Sequence, residues 1–164
     1  MKSHRRFAED GISLIETVVV VAIFLSLISL IIVNLLNFRS SASVNTSLYT
    51  FITDLKNQQI KAMTGDTEGR GIPDTYSIYI EPTRYTLFHG VNYSFSDPTN
   101  FVVSAPSDYQ LTTSFGSNKI IFASGSGEIN SFVSGQNSII FTNISTGQQK
   151  TIQINKYGVV VSIN

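Results

Sequence analysis

The sequence contains no cysteine. That excludes a disulfide framework, a thiolate metal site and a cysteine nucleophile, so oxidation contributes nothing to the stability of the fold. Charge is scarce as well. Only 13% of residues are Asp, Glu, Lys or Arg, and 11 basic against 11 acidic side chains give a formal net charge of zero. Neither sign is in excess, so composition advertises no nucleic-acid or acidic partner. Of the two histidines, His4 lies in a short charged N-terminal stretch, and His89 has no second His or Cys to complete a metal site. There is no Gly-x-Ser-x-Gly elbow and no phosphate-binding glycine loop, and Gly125-Ser126-Gly127 reads as a turn. Neither an enzyme nor a bound cofactor is expected.

What the chain does have is unevenly spread. Apolar residues crowd into 12–36, 25 positions with Glu16 as the only charge and with no Pro or Gly. As a helix rising ~1.5 Å per residue, that run exceeds the ~30 Å hydrocarbon core of a bilayer. A transmembrane helix is therefore expected. Lys2, Arg5 and Arg6 precede it and only Arg39 follows closely, which predicts a cytoplasmic N-terminus and a C-terminal domain outside the inner membrane. The apolar core of a secretory signal peptide is shorter, ~7–15 residues, although Ser40-Ser41-Ala42-Ser43 imitates a cleavage site.

Past the apolar run the pattern changes. Val44, Leu48, Phe51, Ile52, Leu55 and Met63 recur mostly at helical spacing between polar positions, and no helix breaker appears before Gly65. One continuous helix from about Ile12 to Met63 is predicted, its second half needing a sheet to cover one stripe. Beyond Gly65, short β-prone runs at 75–81, 84–89, 101–104, 109–113, 119–123, 138–142, 150–155 and 159–163 are separated by turn residues. The expected fold class is α+β. A long N-terminal α-helix, transmembrane in its first half, would pack on an antiparallel C-terminal β domain of about eight strands. The organisation follows as a leader at 1–11, an apolar assembly segment at 12–36, an amphipathic segment at 37–64 and a β-rich domain at 65–164.

The sequence Gly11-Ile12-Ser13-Leu14-Ile15-Glu16 places a carboxylate inside an apolar helix, where a charge is expensive and calls for a partner. The natural partner is an α-amine made by cutting the chain just before Ile12. In a bundle of such helices, Glu16 of one subunit would meet the amine of its neighbour.

These residues resemble the prepilin motif of type IV pilins and type II secretion pseudopilins, Gly followed by Phe-Thr-Leu-Ile-Glu. The match covers the short basic leader, Gly11, Glu16 and the apolar run; Ile12 stands where Phe is usual. The resemblance implies cleavage by prepilin peptidase between Gly11 and Ile12, N-methylation of Ile12, and Glu16 as the assembly carboxylate. Major pilins often have a helix-kinking proline in the apolar run; Val33 stands near that place. In the C-terminal half, Tyr76-Ser-Ile-Tyr-Ile with Tyr85-Thr-Leu-Phe resembles the first hairpin of H-type minor pseudopilins. Ile120-Ile-Phe, Ser138-Ile-Ile-Phe and Thr151-Ile-Gln-Ile-Asn-Lys-Tyr-Gly-Val-Val resemble that family's closing strands.

What the family implies is a non-enzymatic minor subunit near the tip of a secretion pseudopilus or type IV pilus. Its partners would be prepilin peptidase, other pilin or pseudopilin subunits, an inner-membrane assembly platform and membrane lipid. The alternative is a membrane-anchored binding module, for instance a DNA-uptake minor pilin. Lys119, Lys150 and Lys156 are scattered rather than gathered in a basic patch, so nucleic acid is not an expected partner. The acidic loop at 66–74 departs from the calcium-loop template, with Arg70 where a ligand is wanted, and is expected to be a solvated connection.

Overall fold

The computed structural model describes residues 13–164, except for the side chains of 30–44 within the first helix. The chain divides into two compact units, one ending at Ser41 and the other Ala42–Asn164. Helix α1 runs Leu14–Thr64. It stops for a local reason. Gly65 adopts a left-handed φ of 66°, its N–H donates to Ala62 O (3.3 Å), and Asp66 N–H donates to Lys61 O (3.0 Å). These are the two bonds of a Schellman cap, in which glycine takes the left-handed position without a Cβ penalty.

Eight strands follow: β1 Tyr76–Glu81, β2 Arg84–His89, β3 Phe101–Ser104, β4 Tyr109–Thr113, β5 Lys119–Phe122, β6 Ser138–Asn143, β7 Gln149–Ile154 and β8 Val160–Ile163. They form two four-stranded sheets, in the orders β3-β2-β1-β5 and β4-β6-β7-β8, with every pairing antiparallel. The architecture is α+β.

One apolar core joins the helix to both sheets. From α1, Leu48, Phe51, Leu55 and Ala62 are buried at spacings that keep them on one face. From the strands, alternate residues point the same way: Tyr76, Ile78 and Ile80 of β1, Ile139 and Phe141 of β6, Ile152 and Ile154 of β7. Phe51 is the meeting point. Its ring packs edge-on against Tyr85 of one sheet (centroids 5.0 Å apart, 84° between planes) and against Phe141 of the other (5.8 Å, 73°).

The expected fold class is corrected at its transmembrane half. The described helical side chains fall in two stretches, 14–29 and 45–64, and no helix is long and apolar enough, among the described residues, to cross a membrane. This overturns the transmembrane assignment of 12–36 and, with it, the single-pass placement in the inner membrane. Leader residues 1–11 and Ile12 lie outside the described residues, as does the side chain of Val33.

Gln59 closes the helix onto the loops beneath it. Its amide donates to the carbonyl oxygens of Gly127 (3.1 Å) and Tyr157. The neighbouring Gly158, at φ 70°, lies so close that an added Cβ would fall 2.9 Å from the Phe122 ring and against the Gln59 amide. Two substitutions read out this packing in urea denaturation of the full chain. Phe51→Ala removes a ring from the core that joins all three layers, with an expected cost of about 3–5 kcal/mol. Gly158→Ala combines left-handed strain with a clash, and its expected cost is at least about 1–2 kcal/mol.

Candidate functional site

The stretch 14–29 of α1 presents a surface of unusual chemistry. Every one of its described side chains is exposed, with Leu14 at 84% and Ile15 at 72%. Its hydroxyls do not make that surface polar. Thr17 Oγ1 donates back to Ser13 O (3.4 Å), Ser26 Oγ to Ile23 O (2.8 Å) and Ser29 Oγ to Ser26 O (2.7 Å). Each polar group is thus spent on the helix's own backbone, as Ser and Thr commonly do inside helices. What remains facing outward is hydrocarbon with one exception.

That exception is Glu16, in the first turn. A carboxylate there is favoured by the helix dipole. Ser13 and Glu16 have the Ser-x-x-Glu spacing of a capping box, and Thr17 N–H donates to Ser13 O (3.1 Å) to close the turn. The reciprocal side-chain bonds of that box are absent among the described residues, and Glu16 has no ion-pair partner there. The carboxylate is therefore available to a cation brought by another group. Gly11 and Ile12, the two residues on which processing would act, lie outside the described residues.

In the Ala42–Asn164 unit, several charged side chains are engaged with each other. Glu68 of the acidic loop accepts from Lys61 (2.6 Å) and Arg70 (2.9 Å). Burial pushes its carboxyl up, but those two cations outweigh burial and hold it below the ordinary carboxylate value. Asp66 Oδ1 accepts from Glu68 N–H (2.9 Å), and Asp74 Oδ1 from Thr75 N–H (2.7 Å). The loop's carboxylates thus serve its own turns. Among the described residues no three of His, Asp and Glu are grouped to hold a metal ion.

His89 has company that the sequence did not announce. Its Nδ1 lies 3.1 Å from Asp74 Oδ2 and its Nε2 3.8 Å from Asp97 Oδ2. The Thr99 hydroxyl and backbone N–H both donate to Asp97 and hold its carboxyl below the ordinary value. These contacts tie the end of β2 to the loops on either side of it. The lysines are likewise separate: Lys119 Nζ donates to Val91 O (3.1 Å), and Lys156 pairs with Glu128 (3.0 Å).

Tyr85 and Asp54 form the other notable pair. The phenol donates to Asp54 Oδ2 at 2.6 Å, and burial, together with that carboxylate, pushes the phenol's pKa far above its usual range. The phenol therefore keeps its proton at neutral pH and well above it. Compared with known proteins, the chain matches no protein-family model, no curated protein and no solved structure.

Proposed function

We propose that the chain is a minor pilin-like subunit, built into a secretion pseudopilus or type IV pilus through the stretch 14–29 of α1. The observation that carries this reading is one carboxylate, Glu16, without a partner among the described residues, on a helix surface that is otherwise hydrocarbon over 14–29. A continuous apolar surface of this kind is stable when other apolar surfaces cover it. Helices of the same type, from sibling subunits, cover it in matching number and geometry.

The chemistry of Glu16 completes the picture. Hydrolysis between Gly11 and Ile12 by prepilin peptidase leaves an α-amine on Ile12, four residues before the carboxylate. An α-amine is largely protonated at neutral pH, and N-methylation keeps that charge. Glu16 of one subunit and the amine of the next then neutralise each other in surroundings from which water has been removed, where each alone would be costly.

Two measurements test the reading. The intact mass of the mature chain is expected to correspond to an N-methylated product beginning at Ile12. A chain still beginning at Met1, in cells with active prepilin peptidase, ends it. Glu16→Ala is expected to leave processing unchanged while incorporation into filaments falls by about tenfold or more, the equivalent of one lost charge pair. Unaltered incorporation refutes the pairing.

A further inference from the structure

Sheet edges are where β domains are open to other chains, because unpaired N–H and C=O groups template another strand. Two of the four edges here are engaged. At β4, Leu111 N–H donates to Pro82 O (2.9 Å), and at β5, Phe122 bridges to Ile129. The edge of β3 is different. Ala105 N–H donates to Thr83 O (2.8 Å), and the register pairs Val103 with Tyr85 and Phe101 with Leu87. Antiparallel bonding alternates, so 101, 103 and 105 bond inward to β2. Val102 and Ser104 therefore turn their N–H and C=O groups away from the sheet, and those groups have no partner among the described residues. The strand carries neither charge nor proline, the usual guards of an edge, and Phe101 and Val102 are 64% and 47% exposed.

Two cavities lie along this edge, between it and α1. The smaller, about 140 Å³, is walled by Val103, Ala105, Leu111 and Phe141 with Thr50 at its side. The larger, about 400 Å³, lies at the Phe101 end and includes Asp54, Gln58, Lys61, Glu68 and His89. Its charged groups are not all paired: Glu68 takes both Lys61 and Arg70. Lys61 is spent on Glu68, whereas Asp54 has only the Tyr85 hydroxyl and no cation among the described residues. One helical turn on, the buried Gln58 lines the same cavity, its Oε1 without a donor among the described residues. The small cavity suits an aliphatic side chain. The large one suits a positive charge, with the exposed Phe101 ring beside it.

We propose that the β3 edge is a strand-addition site for an extended segment of a partner protein, carrying an apolar side chain for the small cavity and a lysine or arginine for Asp54. In strand addition the main chain supplies affinity, and pockets for alternate side chains supply selectivity. Same-face positions recur every two residues, and the cavities flank 103–105 and 99–101, so the two anchors sit four residues apart. Antiparallel addition, the more stable pairing, puts the apolar residue first. The other open edge, β8, has no basic residue within Val160–Ile163, so a second copy of this chain does not supply the charge through it. This site stands independently of the filament reading.

Titration calorimetry on the full chain tests it, with the peptide acetyl-Thr-Leu-Thr-Val-Thr-Lys-Thr-amide and a counterpart with Glu in place of Lys. The lysine peptide is expected to bind, and the glutamate peptide about tenfold more weakly. Asp54→Asn keeps an acceptor for the Tyr85 hydroxyl but removes the charge, and is expected to weaken the lysine peptide about fivefold. Val102→Pro removes an outward N–H that the sheet does not use, and is expected to abolish binding while thermal unfolding stays as in the parent chain. Three results overturn the proposal: no binding of the lysine peptide at millimolar concentration, equal affinity for both peptides, or affinity unchanged in Val102→Pro. A peptide-free self-association that disappears in Val102→Pro also overturns it, by giving the edge to a second copy.

Discussion

The contact of Phe51 with Tyr85 and Phe141 is the constraint on which the rest of the Ala42–Asn164 unit depends. Two four-stranded sheets that share no ladder need something to hold them to a common core. A fully buried ring on α1, edge-on to one aromatic from each sheet, supplies area and direction together. Its neighbours follow from it. Tyr85 has its ring against Phe51, and its hydroxyl reaches Asp54 on the same helix. The helix face that carries Phe51 also carries Leu48 and Leu55, so fixing one ring fixes the rotation of the helix over both sheets.

Much of this was legible in the sequence, and the reasons are local. Each β-prone run was bracketed by Gly, Pro, Asn or Ser, and the eight strands lie within a residue or so of those positions. The helix end was signalled by Gly65, which caps it. What was not legible is non-local. The partition into two sheets depends on β1 pairing with β5 across some forty residues, which no turn signal records. Met63 was expected on the buried stripe, yet Ala62 is buried and Met63 exposed. Ala62 lies two turns after the buried Leu55 on the same face, and its carbonyl accepts from Gly125 N–H (2.8 Å) of the loop that crosses there.

The candidate site divides in the same way. Glu16 was conspicuous as the only charge in 12–36, and the structure places it in the first turn of an exposed apolar stretch. The length and apolar character of 12–36 suggested a membrane span, and among the described residues no helix is long and apolar enough to cross one. The placement of His89 between Asp74 and Asp97 had no spacing signal, because the two carboxylates come from separate loops. The cavities along β3 arise only once α1 lies beside that strand, so no sequence pattern could have marked them.

The inward-turned hydroxyls of 14–29 have a geometric consequence. With Thr17, Ser26 and Ser29 bonded to their own backbone, the outward surface has almost no angular features. A smooth apolar cylinder packs against similar cylinders with little preference for azimuth, since dispersion contacts are individually small and nearly interchangeable. The one carboxylate, Glu16, breaks that uniformity, because a single charge on a cylinder marks one height and one face of it at once.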